Sequence, residues 1–280
     1  MSNGPTTPNL NELSPELQRA ARWMQTHSSD VAMHSLRECA RRAEISPSTF
    51  SRLARTLGFE NFEAMKQQYR QQLQESASFF SKGQQLQTSA RKQGEWLEDI
   101  ANSQMQNVAD VFQRNTPQDF LDAAKMMLKA SRTYILGSRA SYGLAQHLFY
   151  LYHMVSLNGQ LLSDEAGMLS DRVLQCQRGD VLVAISFEPY SKSTIAAVDL
   201  ARSRGVHVLG LTDNQLSPLV GMSTRCLFFQ SQTTSYFQSA IGAAALLECL
   251  AAACTIAGGR KAIEHLGFMQ EHMKSHDAYW

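Results

Sequence analysis

A cluster of arginines and short hydroxyl side chains lies between residues 35 and 57. This stretch contains five arginines and only two acids, Glu38 and Glu44. Guanidinium groups bind phosphate and base edges, and serine and threonine hydroxyls reach both kinds of acceptor. The predicted chemistry is contact with double-stranded DNA, although a solvated charged face has the same composition. The candidate DNA-binding residues are Arg37, Arg41, Arg42, Ser46, Ser48, Thr49, Ser51, Arg52 and Arg55.

The spacing of small and apolar residues in the same stretch predicts a helix-turn-helix. In a frame that begins at residue 36, every position at which the two helices pack is small or apolar. These positions hold Cys39, Ala43, Ile45, Phe50 and Leu53. Glu44 occupies the turn site that favours glycine, so its backbone is expected to adopt a mildly costly conformation. An ordinary helical hairpin has similar spacing, and the arginine-rich outward face is what favours a DNA-binding role.

Two other hydroxyl-rich segments, at 135–141 and 184–193, follow predicted strands. In an open parallel sheet, ligands bind outside the carboxyl ends of the strands. Loops that enter helix N-termini there offer N–H groups to anions. A single serine in such a loop is equally well explained as a helix cap, but two such loops favour a pocket. The candidate ligand-binding residues are Ser138, Arg139, Ser141, Ser186, Glu188 and Ser191.

The elements that position these residues change character along the chain. Residues 1–77 are predicted to form an all-α domain with the helix-turn-helix, and the polar segment 78–95 is predicted to be a linker. Residues 96–265 are predicted to form an α/β domain, followed by a tail at 266–280.

Alternating strands and helices define the predicted α/β domain. Short apolar runs occur at 133–136, 155–162, 180–186, 206–212 and 226–229. Helical patterns occur at 96–112, 140–152, 191–204 and 236–257. This alternation predicts a parallel sheet with helices on both faces.

Composition limits the class of protein to which the chain can belong. The chain has 280 residues and a formal charge of +1, so any basic surface must be local. Its five cysteines show no metal-binding or disulfide spacing, and no signal-peptide core is present. The apolar stretch at 241–257 is expected to be a buried helix, too short to cross a bilayer. We therefore expect a soluble, cytoplasmic protein without membrane contact, metal or cofactor.

Taken together, these features resemble the RpiR/MurR family of transcriptional regulators over roughly residues 10–260. The resemblance rests on residues 46–53 followed by 57–59, on the segments 135–141 and 180–186, and on 206–219. It implies a helix-turn-helix joined to a sugar isomerase (SIS) domain. It also implies a homodimer or homotetramer on a palindromic operator, with a phosphorylated sugar or another metabolite as effector.

Two departures from the family pattern lie in the predicted ligand loops. Arg139 stands where the first loop usually has its second glycine. In the second loop, Glu188 and Pro189 replace serine and glycine, and Ser191 replaces threonine. A carboxylate repels phosphate, so the expected effector is a small anionic metabolite that need not be a sugar phosphate.

Two alternatives remain from the sequence: a sugar-phosphate isomerase on the same fold, and a regulator whose pocket is vestigial. An isomerase needs a base at the sugar, and the available side chains fall in no motif that assigns this role. They are His147, His153, Asp164, Glu165, Glu188 and Glu248. The attached helix-turn-helix favours sensing without turnover. His272 and His276 are expected to lie in a mobile tail and not in a metal site.

Overall fold

The computed structural model describes residues 13–76, 79–89, 95–215 and 217–278. Its contacts divide the chain into two compact units, Met1–Thr88 and Ser89–Trp280. Within the segment predicted to be a linker, residues Phe79–Ser89 form a helix. The first unit is helical and the second contains the sheet, so the structure has the two predicted fold classes in the predicted order.

Helices of the first unit pack around aromatic and aliphatic side chains. The described helices are α1 (Pro15–Thr26), α2 (Ser28–Met33), α3 (Leu36–Ala43), α4 (Pro47–Thr56), α5 (Phe62–Ser76) and α6 (Phe79–Ser89). Phe50 of α4 is fully buried and meets Trp23 and Phe62 edge-on, with ring centroids 5.8 and 6.1 Å away. Because Phe50 contacts both α1 and α5, this packing fixes the orientation of α4 within the unit.

The second unit is built on one parallel sheet in the order β2-β1-β3-β4-β5. The strands are β1 (Thr133–Gly137), β2 (Gly159–Leu162), β3 (Val181–Ile185), β4 (His207–Thr212) and β5 (Arg225–Phe228). β1 pairs with β3 in the register Thr133↔Val181. The weak apolar run at 155–162 supplies only the short strand β2.

Alternate residues of the central strands enter two different cores. Ile135 and Val183 belong to the core on one face, whereas Leu136 and Leu182 belong to the core on the other. This arrangement is why β1 and β3 are apolar at consecutive positions and do not alternate with polar residues.

Helices cover both faces of the sheet. They are α7 (Glu95–Arg114), α8 (Pro117–Lys129), α9 (Ala140–His153), α10 (Leu169–Val173), α11 (Lys192–Ser203) and α12 (Ile241–Ser275). Buried residues of α7, α8, α9 and α12 share one core, and those of α10 and α11 share the other.

The last helix, α12, is longer than predicted. The helix predicted at 236–257 begins at Ile241 and continues to Ser275, into the segment predicted to be a tail. It is one helix of 35 residues, with a non-helical residue at Gly259. Among the described residues, α12 is long and apolar enough to cross a membrane by length and composition alone. Its Leu246, Leu247 and Leu250 are fully buried in the core with α8, which identifies this half as the expected buried helix.

Candidate functional sites

Two serine caps and a left-handed residue shape the helix pair α3–α4. Oγ of Ser35 accepts the Glu38 N–H at 3.3 Å, and Oγ of Ser46 accepts the Thr49 N–H at 3.2 Å. Between the helices, Glu44 has φ 54° and ψ 42°. This conformation confirms the expected cost at the turn site, because a left-handed backbone is unfavourable for a residue with a side chain.

Most of the predicted DNA-binding side chains lie on the surface of this helix pair. Arg37, Ser46, Ser48, Arg52 and Arg55 are exposed, as are Arg41 and Arg42, and Ser51 is half-buried. Thr49, which was predicted to contact DNA, is the exception. It is only 1% exposed, and its hydroxyl lies 2.8 Å from Ser46 Oγ, so it packs and caps the start of α4.

Ion pairs divide the arginines into two groups. Arg41 binds the Glu38 carboxylate through two nitrogens, at 2.9 and 2.6 Å. Arg42 binds Glu38 at 2.9 Å and Asp30 at 2.8 Å. These two guanidinium groups lower the pKa of Glu38 to about 2. The predicted basic face is therefore partly neutralised on α3.

The other arginines of the pair are less constrained. Arg52 has one distant contact, with Glu16 at 3.4 Å. Within the described part of the chain, Arg37 and Arg55 form no ion pair. The exposed cations available to an external anion thus lie at the start of α3 and along α4.

The second candidate site lies where the chain changes direction across the sheet. From β1 the chain passes to β2 on one side, and then returns to β3 on the other side of β1. A crevice outside the carboxyl ends of the strands is expected at such a switch point. The loops after β1 and β3, both predicted from the sequence as ligand loops, are the segments that flank it.

Hydroxyl groups join these two loops. Ser138, after β1, accepts hydrogen bonds from Thr194 Oγ1 at 3.0 Å and from Ser193 Oγ at 3.3 Å. The Oγ atom of Ser193 also lies 2.8 Å from Oγ of Ser191. Ser193 lies in the predicted loop 184–193 but was not among the candidate residues, and Thr194 directly follows that loop.

Arg139 has an unusual backbone at the entrance to α9. Its φ of 56° and ψ of −121° fall in a region that glycine adopts far more easily than other residues. The side chain is exposed and makes no capping hydrogen bond to the helix. The loop therefore keeps the backbone geometry of a glycine while presenting a guanidinium group.

Two of the predicted serines are buried. Ser141 is 6% exposed and Ser186 is 2% exposed. The Ser186 N–H donates to the Leu211 carbonyl of β4 at 3.1 Å. Ser138 and Ser191, which are half-buried, are consequently better placed than Ser141 and Ser186 to meet a ligand.

Glu188 lies in the second loop and remains exposed. Its backbone N–H donates to Oδ2 of Asp213 at 3.1 Å, and the nearby Tyr190 hydroxyl donates to Oδ1 at 3.0 Å. Burial, together with the Asp213 carboxylate, raises the pKa of Tyr190, so the phenol stays protonated. Among the described residues, Arg139 and Glu188 form no ion pair with each other, which leaves both side chains free to meet a ligand.

Cavities in the second unit adjoin this region without containing the predicted serines. One of about 440 Å³ is lined mainly by α11 residues together with Tyr190, Pro218 and Met222. Another, of about 600 Å³, is lined by Gln113, Arg114, Asn214, Gln215 and Phe228.

One of the side chains considered as isomerase bases, Glu165, is held in its ionised form. Glu165 is bound by Ser163 at 2.9 Å and by Arg172 at 2.9 Å, and both contacts lower its pKa. A carboxylate stabilised in its ionised form is a weaker base. In the parts of the chain that are described, no group of three or more His, Cys, Asp or Glu residues could hold a metal ion.

Two family models match the chain. A helix-turn-helix domain of the rpiR family matches residues 8–76, and a SIS domain matches residues 126–253. The HTH-type transcriptional regulator HexR of Pseudomonas aeruginosa is 26% identical over 225 residues, which are 78% of this chain and 75% of that protein. An HTH-type transcriptional regulator of Caldanaerobacter subterraneus is 22% identical over 223 residues, covering 80% and 78% of the two chains.

Solved structures show the same fold. The Vibrio vulnificus NanR protein complexed with ManNAc-6P has a TM-score of 0.62 at 19% identity, with 96% of each chain covered. The sugar isomerase domain of an RpiR transcription factor from Sphaerobacter thermophilus has a TM-score of 0.58 at 19% identity. That match covers 61% of this chain and 96% of the domain.

Proposed function

Because the chain belongs to the RpiR family of DNA-binding transcriptional regulators with a SIS domain, we propose that its SIS domain binds a small anionic metabolite that modulates operator binding. The observation that carries this proposal is the junction of the β1 and β3 exit loops at the switch point of the sheet. There, Ser138, the chain neighbour of Arg139, accepts hydrogen bonds from Ser193 and Thr194, which follow Glu188 in the chain. The protein acts as a sensor and does not turn the metabolite over.

In the proposed DNA complex, the N-terminal half of α4 lies in the major groove. Ser48 and Arg52 are the exposed side chains that read bases, with Ser51 beside them. Arg37 and Arg55 bind phosphates and position the helix. Thr49 contributes through the shape of the helix start and not through a base contact.

Binding of operator DNA by Arg52 variants tests this role. Arg52→Ala is expected to weaken specific binding by about 1–3 kcal/mol and to relax the sequence preference, as for a base-contacting arginine. Arg55→Ala should weaken binding to all sequences and flatten its salt dependence. Electrophoretic shifts with the protein's own promoter region, at several salt concentrations, measure both effects. Unchanged affinity in Arg52→Ala would remove that residue from the interface.

The proposed effector carries an anionic group and several hydroxyl or amino groups. Arg139 binds the anion, while Glu188 and the serine hydroxyls bind the remaining polar groups. NanR was solved with ManNAc-6P, which supports a sugar derivative as the general class. The carboxylate of Glu188 disfavours a phosphate next to it, which is why a sugar acid or an amino acid remains within the proposal.

Calorimetric titration separates these effector classes. ManNAc-6P, gluconate and glutamate represent sugar phosphates, sugar acids and amino acids. Arg139→Ala is expected to weaken binding of whichever probe the wild type accepts by about 1.5–3 kcal/mol, the usual contribution of a charged hydrogen bond. A gain of ManNAc-6P binding in Glu188→Ser would identify the carboxylate as the specificity gate. Absence of binding in every variant would indicate that the pocket is vestigial. Isomerisation of a sugar phosphate by the protein would show instead that it is an enzyme.

A further inference from the structure

Asp213 is a buried carboxylate to which neither role above assigns a task. It follows β4 directly and is 9% exposed. Its oxygens accept hydrogen bonds from the segments that follow the two strands next to β4. After β3, the donors are the Glu188 N–H at 3.1 Å and the Tyr190 hydroxyl at 3.0 Å. After β5, the donor is the Ser231 hydroxyl, at 3.2 Å.

The donors that surround this carboxylate are neutral. Among the described residues, no lysine or arginine forms an ion pair with it. Arg114 instead donates to the backbone oxygen of Asp213, at 3.4 Å. Hydrogen bonds to a charged acceptor are stronger than neutral ones, and a buried donor that loses its acceptor is costly. A shared carboxylate therefore resists movement of each segment relative to the others.

We propose that Asp213 is the positioning residue of the effector site, and that it holds the loop 188–190 in its binding geometry by accepting hydrogen bonds from Glu188 and Tyr190. This inference rests on the proposed effector function, because the loop that it fixes carries Glu188. Asp213 does not touch the effector. It determines the position of Glu188 at the carboxyl edge of the sheet.

Two substitutions at this position separate hydrogen-bond geometry from charge. Asp213→Ala removes every acceptor and leaves the Glu188 N–H without a partner. In Asp213→Asn, the amide oxygen still accepts that N–H, and the Tyr190 hydroxyl accepts a hydrogen bond from the amide nitrogen. Asparagine is therefore the conservative variant expected to keep the loop in place.

Amide hydrogen exchange of segment 186–193 measures the positioning without any effector. The Glu188 amide is expected to exchange about tenfold to a hundredfold faster in Asp213→Ala, because its N–H has lost its acceptor. In Asp213→Asn, the rate should stay within about threefold of the wild type. Wild-type exchange in Asp213→Ala, or equally fast exchange in both variants, would overturn the proposal.

Asp180, directly before β3, supplies a matched control at the opposite edge of the sheet. It is 1% exposed and accepts backbone N–H groups of Arg132 at 3.1 Å and of Gln177 at 2.9 Å. Asp180→Ala removes a carboxylate that is more deeply buried than Asp213, so it reproduces a general loss of stability. It is expected to leave exchange at Glu188 unchanged. Acceleration equal to that of Asp213→Ala would assign both effects to loosening of the whole unit and would overturn the proposal.

Titration of the full-length protein connects the positioning to binding. Whichever of ManNAc-6P, gluconate and glutamate binds the wild type is expected to bind Asp213→Ala at least about tenfold more weakly. Asp213→Asn and Asp180→Ala should bind it with wild-type affinity, and wild-type affinity in Asp213→Ala would overturn the proposal. If the wild type binds no probe, the proposed effector function fails, while the exchange measurement still decides whether Asp213 positions the loop.

Discussion

Arg139 combines a glycine-like backbone with a charged side chain at the entrance to α9. Its φ of 56° lies outside the regions that side chains favour, and the surrounding β1–α9 junction holds it there. Such conformations cost about 1–3 kcal/mol and are concentrated at binding and switch sites. A residue retained at this cost is consistent with a binding role for the guanidinium group.

Replacing Arg139 by glycine is expected to stabilise the protein. Relief of the backbone strain outweighs the greater entropy of glycine in the unfolded chain, which leaves a net gain of about 1 kcal/mol. Urea denaturation of the wild type, Arg139→Gly and Arg139→Ala measures this change in the free energy of unfolding. Arg139→Ala removes the guanidinium but keeps the strain, so it should not gain stability. Equal stability of the two variants would show that the backbone is unstrained.

Glu38 restrains the two arginines that precede the turn. Glu38→Gln is expected to strengthen DNA binding to all sequences and to steepen its salt dependence by about one phosphate contact, because it releases Arg41, whereas Arg42 keeps its ion pair with Asp30 at 2.8 Å. Glu16→Gln, which releases only Arg52 from its 3.4 Å contact, is the control and should change the slope less. An unchanged slope in Glu38→Gln would show that Arg41 does not reach the phosphates.

The same ion pairs make α3 sensitive to acid. The folded-state pKa of Glu38 is about 2, below the usual value of 4.5. The stabilisation is therefore fully present above about pH 4.5 and is lost as the pH falls towards 2. DNA binding near neutral pH should show no titration from this group.

At the scale of elements, the junction between β1 and α9 depends on Gly137. A Cβ at this position would overlap the carbonyl oxygen of Ser141, which belongs to the first turn of α9. Gly137→Ala is thus expected to destabilise the protein by about 2–4 kcal/mol, since backbone must move to relieve the overlap.

Gly143, in α9 itself, is the matched control for this prediction. A Cβ there would meet nothing within 4 Å. Gly143→Ala is expected to stabilise the helix by up to about 1 kcal/mol, because alanine is the better helix former. Thermal unfolding compares the two variants. Equal melting temperatures would contradict the close approach of β1 and α9.

Local signals predicted the elements well where they were strong. The strained turn at Glu44 follows from its place in the helix-turn-helix frame, and the structure confirms it. The burial of Thr49 could not be read in this way, because a threonine after a serine cap suits a surface and a core equally. The hydrogen bonds of Asp213 could not be predicted from the sequence for a different reason, because their donors come from segments distant in sequence.

The length of helix α12 was the property that the sequence predicted least well. The weak periodicity after residue 257 did not indicate that α12 continues to Ser275, since its second half is held by tertiary contacts. One of these is the approach of His265 Nε2 to the His153 carbonyl oxygen, at 3.0 Å. Contacts between distant segments outweigh local propensity at such positions.

At the scale of the whole molecule, helix α7 buries one face and exposes apolar side chains on another. Asn107 and Val111 are buried on the face that meets the rest of the unit. On another face, Leu97, Met105 and Phe112 are 58, 63 and 60% exposed. Their spacing places them in one stripe along the helix. A row of exposed apolar side chains along one helix is a candidate interaction surface.

This stripe leads to the prediction of a homodimer or homotetramer. A single helix-turn-helix reads few base pairs, and a symmetric pair would place two recognition helices about one turn of DNA apart. Light scattering at micromolar concentration is expected to give two or four times the 31.2 kDa mass of the chain. Met105→Glu with Phe112→Glu should reduce the mass to that of the monomer and weaken operator binding, because burying two carboxylates without partners opposes association. Met33→Glu, at an equally exposed methionine in the first unit, should leave the mass unchanged. A wild-type protein that is monomeric under these conditions would contradict the prediction and would require a single helix-turn-helix to account for all the affinity.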